Sequence, residues 1–303
     1  MDSNPSWHQA NCYTKSMPTI NSKDHTKIAY QKIGTGPGLV LVQGAMGSIR
    51  NYQQLSQALA GSFTVYLLER RGRGESCPVG SGYGLHTEVE DVQAMLKESG
   101  APYLYGLSSG AIISLATAAV TPTVKKLAIY EPPLYVNDPA KPAQVLANYR
   151  QAMSNGQIAK AMVIGMKGGQ MGPAAFNVMP NWLLAGMFGK IMQAETANGD
   201  TKGYIAMEKL APTLEQDFSL VVEVAANIQQ FKSVTCDTLL LGGSKSPQYL
   251  KVSLSALEKI LPHSTRYEFA GLGHSGSWDY DKQRNASGNP TAVAEKLKSW
   301  FLA

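Results

Sequence analysis

The chain has 303 residues, 44% hydrophobic and 16% charged, with a formal net charge of +5. That length suits one large domain or a domain carrying an insertion. The basic residues are scattered, with no Lys/Arg block and no aromatic interleaving, which argues against a nucleic-acid partner. No apolar run approaches a membrane span. Residues 1–16 are polar and lack the apolar stretch of a secretory signal, so they read as a loose arm on a protein expected in the cytoplasm. Three cysteines, Cys12, Cys77 and Cys236, suggest neither a disulfide framework nor a zinc site, and reduced thiols are expected.

Strands are predicted near Thr19 and across Lys27 to Lys32, then at Leu39 to Val42 after the glycine-rich turn Gly34 to Gly38. From there the pattern alternates: helix Asn51 to Leu59, strand Phe63 to Leu68, helix Thr87 to Glu98, strand Tyr103 to Tyr105, helix Ser109 to Ala119, strand Lys126 to Tyr130. Such alternation predicts a mainly parallel sheet with helices on both faces. It resumes with a strand at Thr238 to Leu241, a helix at Leu254 to Leu261, a strand at Thr265 to Phe269 and a last helix at Pro290 to Phe301. In between, from Pro132 to about Val234, the sequence reads as helices broken at Gly156, Gly168-Gly169, Gly172-Pro173, Met179-Pro180 and Ala211-Pro212. This stretch is rich in methionine. Met can be plain gap-filling or can make an adaptable apolar ceiling for a bulky ligand, with Trp182, Phe188 and Tyr204 as flat contact surface.

The most informative segment is Gly106-Leu107-Ser108-Ser109-Gly110, a G-x-S-x-G between a strand and a helix. A sharp strand-to-helix turn would lift the Ser108 hydroxyl clear of the sheet, and the helix behind it would offer free backbone N–H groups to an oxyanion. A serine hydroxyl also needs a base. Of the five histidines, His8, His25, His86 and His263 read as surface residues, whereas His274 sits in the glycine-rich Gly271 to Ser275 loop between the last strand and the last helix. Two further segments stand upstream: Leu39-Val40-Leu41-Val42-Gln43-Gly44-Ala45-Met46-Gly47, and Glu69-Arg70-Arg71-Gly72-Arg73-Gly74-Glu75-Ser76. The arginines of the second read as loop structure plus solvation rather than as an anion site.

With these four segments in this order, the chain resembles the α/β-hydrolase superfamily from about Met17 to the C-terminus. The resemblance implies a mostly parallel eight-stranded sheet flanked by helices. Residues 17–133 and 235–303 would form this core and residues 134–234 an inserted helical cap. It implies Ser108 as nucleophile, His274 as general base, and the backbone N–H groups of Ala45 and Ser109 as oxyanion hole. Glu69 stands where the family has Asp, and Gln43 where it usually has His.

The acid departs from the pattern, because Ser246 occupies the place of the usual aspartate in Gly243-Ser244-Lys245-Ser246-Pro247. Glu131, at the end of the sixth strand, is the substitute, a placement similar to that of the zearalenone-type lactonases. Its competing reading is a rim carboxylate or a salt-bridge partner of Lys126 or Arg50. Asp279 and Asp281 are expected in an exposed loop. Met46, Leu107, Trp182 and Phe188 are expected to contact substrate.

A serine nucleophile excludes the relatives that need aspartate there. The resemblance implies hydrolysis of a carboxylic ester or lactone of a medium-sized hydrophobic substrate through a serine acyl-enzyme. It implies no metal, no cofactor and no nucleic-acid or membrane partner, with a homodimer as the assembly left open. The rival readings are a lyase or cyclase of secondary metabolism on the same fold, and a non-catalytic ligand-binding member.

Overall fold

A computed structural model describes residues 17–172, 175–198 and 204–303. The arm expected over residues 1–16, with Cys12, lies outside them. Eight strands form one sheet: β1 (Thr19–Asn21), β2 (Lys27–Ile33), β3 (Gly38–Val42), β4 (Thr64–Leu68), β5 (Tyr103–Leu107), β6 (Lys126–Tyr130), β7 (Asp237–Gly243) and β8 (Ser264–Phe269), in the order β1-β2-β4-β3-β5-β6-β7-β8. The β1–β2 and β2–β4 pairs are antiparallel and all others parallel.

The central strands are nearly continuous apolar runs because both faces are covered, as parallel sheets require. On one face Val40, Leu104, Leu127, Ile129 and Leu240 pack with α2 (Leu85–Ser99), α3 (Ser109–Val120) and α9 (Gln248–Ile260). On the other, Leu39, Leu41, Tyr105, Ala128 and Leu239 pack with α1 (Gln53–Leu59) and α10 (Pro290–Phe301). Alternate residues of one strand thus serve two cores, the period-2 geometry of a strand. The chain runs from β3 outward to β4 and returns to β5 on the other side of β3. The crevice beyond the carboxyl ends of β3 and β5 is the switch point where open α/β sheets place ligands.

Between β6 and β7 come α4 (Lys141–Ser154), α5 (Ile158–Gly168), α6 (Ala175–Val178), α7 (Asn181–Asn198) and α8 (Met207–Ala225). They share a third core that includes Leu146, Tyr149, Met162, Leu184, Leu214 and Phe218, and the β3 loop residues Ala45 and Met46 pack against it. Among the described residues no helix is long and apolar enough to cross a membrane.

Three expectations change. First, α8 runs through Pro212 instead of breaking there. Pro212 lies in the second turn, and the buried face of Leu210, Leu214, Phe218 and Val221 keeps the helix in register despite the missing N–H. Second, α9 begins at Gln248, directly after Pro247, six residues before the expected Leu254; its buried face of Leu250, Ser253, Leu254 and Leu257 includes a serine, which obscures the apolar period. Third, Asp279 is buried, and its carboxylate accepts the Gln53 and Gln54 N–H groups, capping α1 from the far end of the chain. Cys236 is a free, half-buried thiol.

Glu69 is 1% exposed and accepts the Ile49 N–H at 3.3 Å. Burial, only partly opposed by that hydrogen bond, pushes its carboxyl up to about 7. Between the unfolded value near 4.3 and about 7, the folded state therefore holds a proton that the unfolded chain has lost. Stability falls as pH rises through that window, by no more than about 1.4 kcal/mol per pH unit for one group. Glu69→Gln is expected to flatten this slope and to be more stable than the wild type at pH 8. Denaturant titrations at several pH values check it; an unchanged slope contradicts it.

Candidate active site

β5 ends in Leu107, and α3 begins at Ser109. The residue between them, Ser108, has φ 57° and ψ −122°, a conformation that costs a non-glycine residue free energy and that only its surroundings can maintain. Its N–H donates to the Tyr130 carbonyl at 2.8 Å, which anchors the turn to the end of β6. The fit around it is close. A side chain at Gly44 would come within 2.8 Å of Ser108 Cβ, and one at Gly110 would strike the Val42 and Gln43 carbonyls. Glycine at both positions lets the β3 loop lie directly against the start of α3.

Glu131 follows β6 and is fully buried, with φ 49°. Its N–H extends the β6–β7 ladder by donating to Leu241 O at 3.1 Å. One carboxylate oxygen, Oε1, accepts the Gly243 N–H at 2.7 Å, and the other, Oε2, lies 2.8 Å from His274 Nδ1. The turn that carries an aspartate in the pattern described above here supplies a backbone donor to Glu131. The pairings considered as alternatives do not form: Lys126 Nζ donates to Trp300 O, and the Glu131 carboxylate faces His274, not Arg50. The Tyr130 hydroxyl donates to Gly273 O at 2.8 Å, fixing the loop next to the imidazole.

Ser246 is buried, and its hydroxyl has no hydrogen-bond partner among the described residues. Ser246→Asp is expected to leave kcat near wild type or lower it, because a second carboxylate would add like charge near Glu131. A gain above about tenfold, worth about 1.4 kcal/mol of barrier, would mean that Glu131 acts weakly or not at all.

Ser108 and His274 line one cavity of about 410 Å³ with Gly44, Ala45, Leu107 and Met171. Its volume falls in the range of small-molecule sites. No hydrogen bond joins the serine hydroxyl to the imidazole in this geometry; such contacts often tighten only when substrate binds. A smaller recess of about 40 Å³ continues past Ser109 to Leu214, Asp217 and Phe218 of α8.

Of the expected substrate contacts, Leu107 lines the cavity. Met46 packs against the helical layer with φ 57° and lies outside the lining. Phe188 is buried within the helical core, and Trp182 is 75% exposed on α7. Neither reaches the cavity, because α7 packs on α5 and turns Trp182 outward. Met171, from the methionine-rich segment, is the member that lines the site, while Met162 and Met192 fill the helical core.

The three arginines differ most from expectation. Arg70, Arg71 and Arg73 are 1%, 3% and 2% exposed and paired, not solvated. Arg71 forms a fork with Asp91 at 2.6 Å on each arm and also binds Asp24. Arg70 pairs with Glu88 and with Asp217 at 2.7 Å each. Asp217 also binds Arg73 at 2.6 Å and accepts the Ser109 hydroxyl at 2.7 Å. Its neighbouring arginines hold the Asp217 carboxyl below the usual carboxylate range against the opposing cost of burial. Asp217 escaped the sequence reading. Its one signal was a lone acid on the apolar stripe Leu210, Leu214, Phe218, Val221.

The alpha/beta hydrolase family model matches residues 39–286, and the chain belongs to that family. A solved alpha/beta hydrolase from Sphaerobacter thermophilus superposes with a TM-score of 0.73 at 28% identity, covering 94% of this chain and 100% of its own. Among curated proteins, an uncharacterized hydrolase, YraK, from Bacillus subtilis is 36% identical over 29% of this chain and 34% of its own length. A 2-heptyl-3-hydroxy-4-quinolone dioxygenase from Rhodococcus erythropolis is 33% identical over 28% and 33%. The alignments thus span about a third of the length of these curated relatives.

Proposed function

We propose that the protein hydrolyses a carboxylic ester or lactone of a medium-sized hydrophobic molecule through an acyl-enzyme on Ser108. The observation that carries this reading is the continuous chain from Gly243 N–H to Glu131 to His274 Nδ1, beside a strained serine in the same cavity. With Nδ1 committed to the carboxylate, Nε2 is the nitrogen left to act as base.

In the first step His274 Nε2 takes the Ser108 hydroxyl proton as Oγ bonds to the carbonyl carbon, and the carbonyl electron pair moves onto oxygen. Glu131 stabilises the imidazolium without taking its proton. The Ala45 and Ser109 N–H groups receive the oxyanion, a contribution of about 3 kcal/mol or more per donor. Collapse breaks the ester C–O bond, and His274 returns the proton to the leaving alkoxide. Water then repeats the cycle and frees the acid and Ser108. The apolar wall of Leu107, Met171, Leu250 and Trp278 supports a hydrophobic substrate.

The short match to a dioxygenase favours one rival, in which His274 deprotonates a substrate that never acylates Ser108. A fluorophosphonate probe separates the two. The expected adduct maps to the peptide carrying Ser108, and turnover in ¹⁸O-labelled water puts one label into the acid product. No adduct, with oxygen drawn from O₂ instead, would favour the rival.

A further inference from the structure

Asp217 is a buried acid that the acyl-transfer steps do not use, yet it lies within one hydrogen bond of the oxyanion-hole residue Ser109. Its other oxygen binds Arg73 Nη2 at 2.6 Å, and Arg73 Nη1 donates to Gly44 O at 2.6 Å and to Gly47 O at 3.0 Å. The Gly44 carbonyl belongs to the same peptide unit as the Ala45 N–H. In a planar trans peptide these two groups point in opposite directions, and the described chain has no cis bonds. Whatever holds Gly44 O on one side therefore aims the Ala45 N–H to the other, and both residues line the cavity beside Ser108.

We infer that Arg73, clamped by Asp217 of α8, is a positioning residue for the oxyanion hole: it fixes the Gly44–Ala45 peptide so that the Ala45 N–H meets the developing oxyanion. Arg70 supports the same arrangement, with Nη1 on Gln43 O at 3.3 Å, Ser109 Oγ at 3.2 Å and Asp217. Among the described residues the other hold on Gly44 O is the longer Gly47 N–H bond at 3.2 Å, which closes the loop locally. Since Asp217 comes from the helical layer and both arginines from the loop after β4, oxyanion binding depends on α8 being seated. A guanidinium suits this work: one planar fork reaches a carbonyl and a carboxylate at fixed angles, which an ammonium does not reproduce.

The inference rests on the serine-hydrolase reading, and the test separates the two. The variants are Arg73→Lys, which keeps the charge but loses the fork, and Asp217→Asn, which keeps the shape but loses the charge. Each is assayed on p-nitrophenyl butyrate, with rates per active site titrated to completion by fluorophosphonate, so that unfolded protein does not enter. A trifluoromethyl ketone serves as a tetrahedral analogue. The expected result is a kcat lower by on the order of 10- to 100-fold, less than or comparable to the loss of one oxyanion donor. KM should stay within about twofold, and the ketone's affinity should fall in parallel with kcat/KM. An unchanged kcat per site and an unchanged ketone affinity in whichever variant folds, even with a lowered Tm, would overturn the inference and make the cluster merely structural. A wild type that neither labels at Ser108 nor turns over the ester would overturn the hydrolase reading and this inference with it.

Discussion

Ser108→Ala is expected to lower turnover by about a million-fold, the scale on which removing a triad nucleophile acts in a serine protease. The expectation follows from position. Ser108 holds φ 57° at the junction of β5 and α3, and it shares the cavity with His274. Alanine keeps the backbone and the packing. It removes a hydroxyl that makes none of the bonds holding the turn, since the turn is fixed through the Ser108 N–H to Tyr130 O. The melting temperature should therefore stay near that of the wild type, and binding of a hydrophobic product should persist. Kinetics with calorimetry on the same preparation checks both halves. Wild-type activity in the variant would remove serine acylation from the mechanism.

The second large effect is expected at Glu131. Glu131→Gln keeps the volume and an oxygen for the Gly243 N–H but presents an amide to His274 Nδ1. An amide N–H₂ there would select the tautomer whose proton sits on Nε2, where the serine needs a free base. The comparable change in chymotrypsin-like proteases costs about ten-thousand-fold, so a loss of at least ~100-fold in kcat is the expected result. Were Glu131 a surface ion pair, its contribution would be about 1 kcal/mol or less of stability, with turnover unchanged. Measuring kcat and Tm together decides, and a stable, fully active variant would exclude Glu131 from catalysis.

What could be read in the sequence follows from how local the determinants are. The strand-to-helix turn at Gly106 to Gly110 is local, because close packing demands glycine on each side and the helix starts at once. The parallel sheet was legible because apolar strands alternated with helical periods. Glu131 could be singled out because β6 and β7 pair, so that a longer acid reaches the histidine from the neighbouring strand. The Arg70, Arg73 and Asp217 cluster was not legible. It joins residues 144 and 147 positions apart, and nothing in the Arg-rich segment itself distinguishes a buried fork from a solvated one. Trp182 misled for the opposite reason: a large aromatic in an apolar segment suggests contact with a ligand, while helix packing decides which way it points.

The central claim is that an acyl group passes through Ser108. Rapid-quench mass spectrometry of the wild-type protein with p-nitrophenyl butyrate reads that step directly. The result expected is a transient butyryl mass increment on the tryptic peptide Glu98–Lys125, which contains Ser108. It should form in a burst with p-nitrophenol and decay at the turnover rate. Hydrolysis that proceeds with no acylated peptide, or with the acyl group on a peptide lacking Ser108, would contradict it.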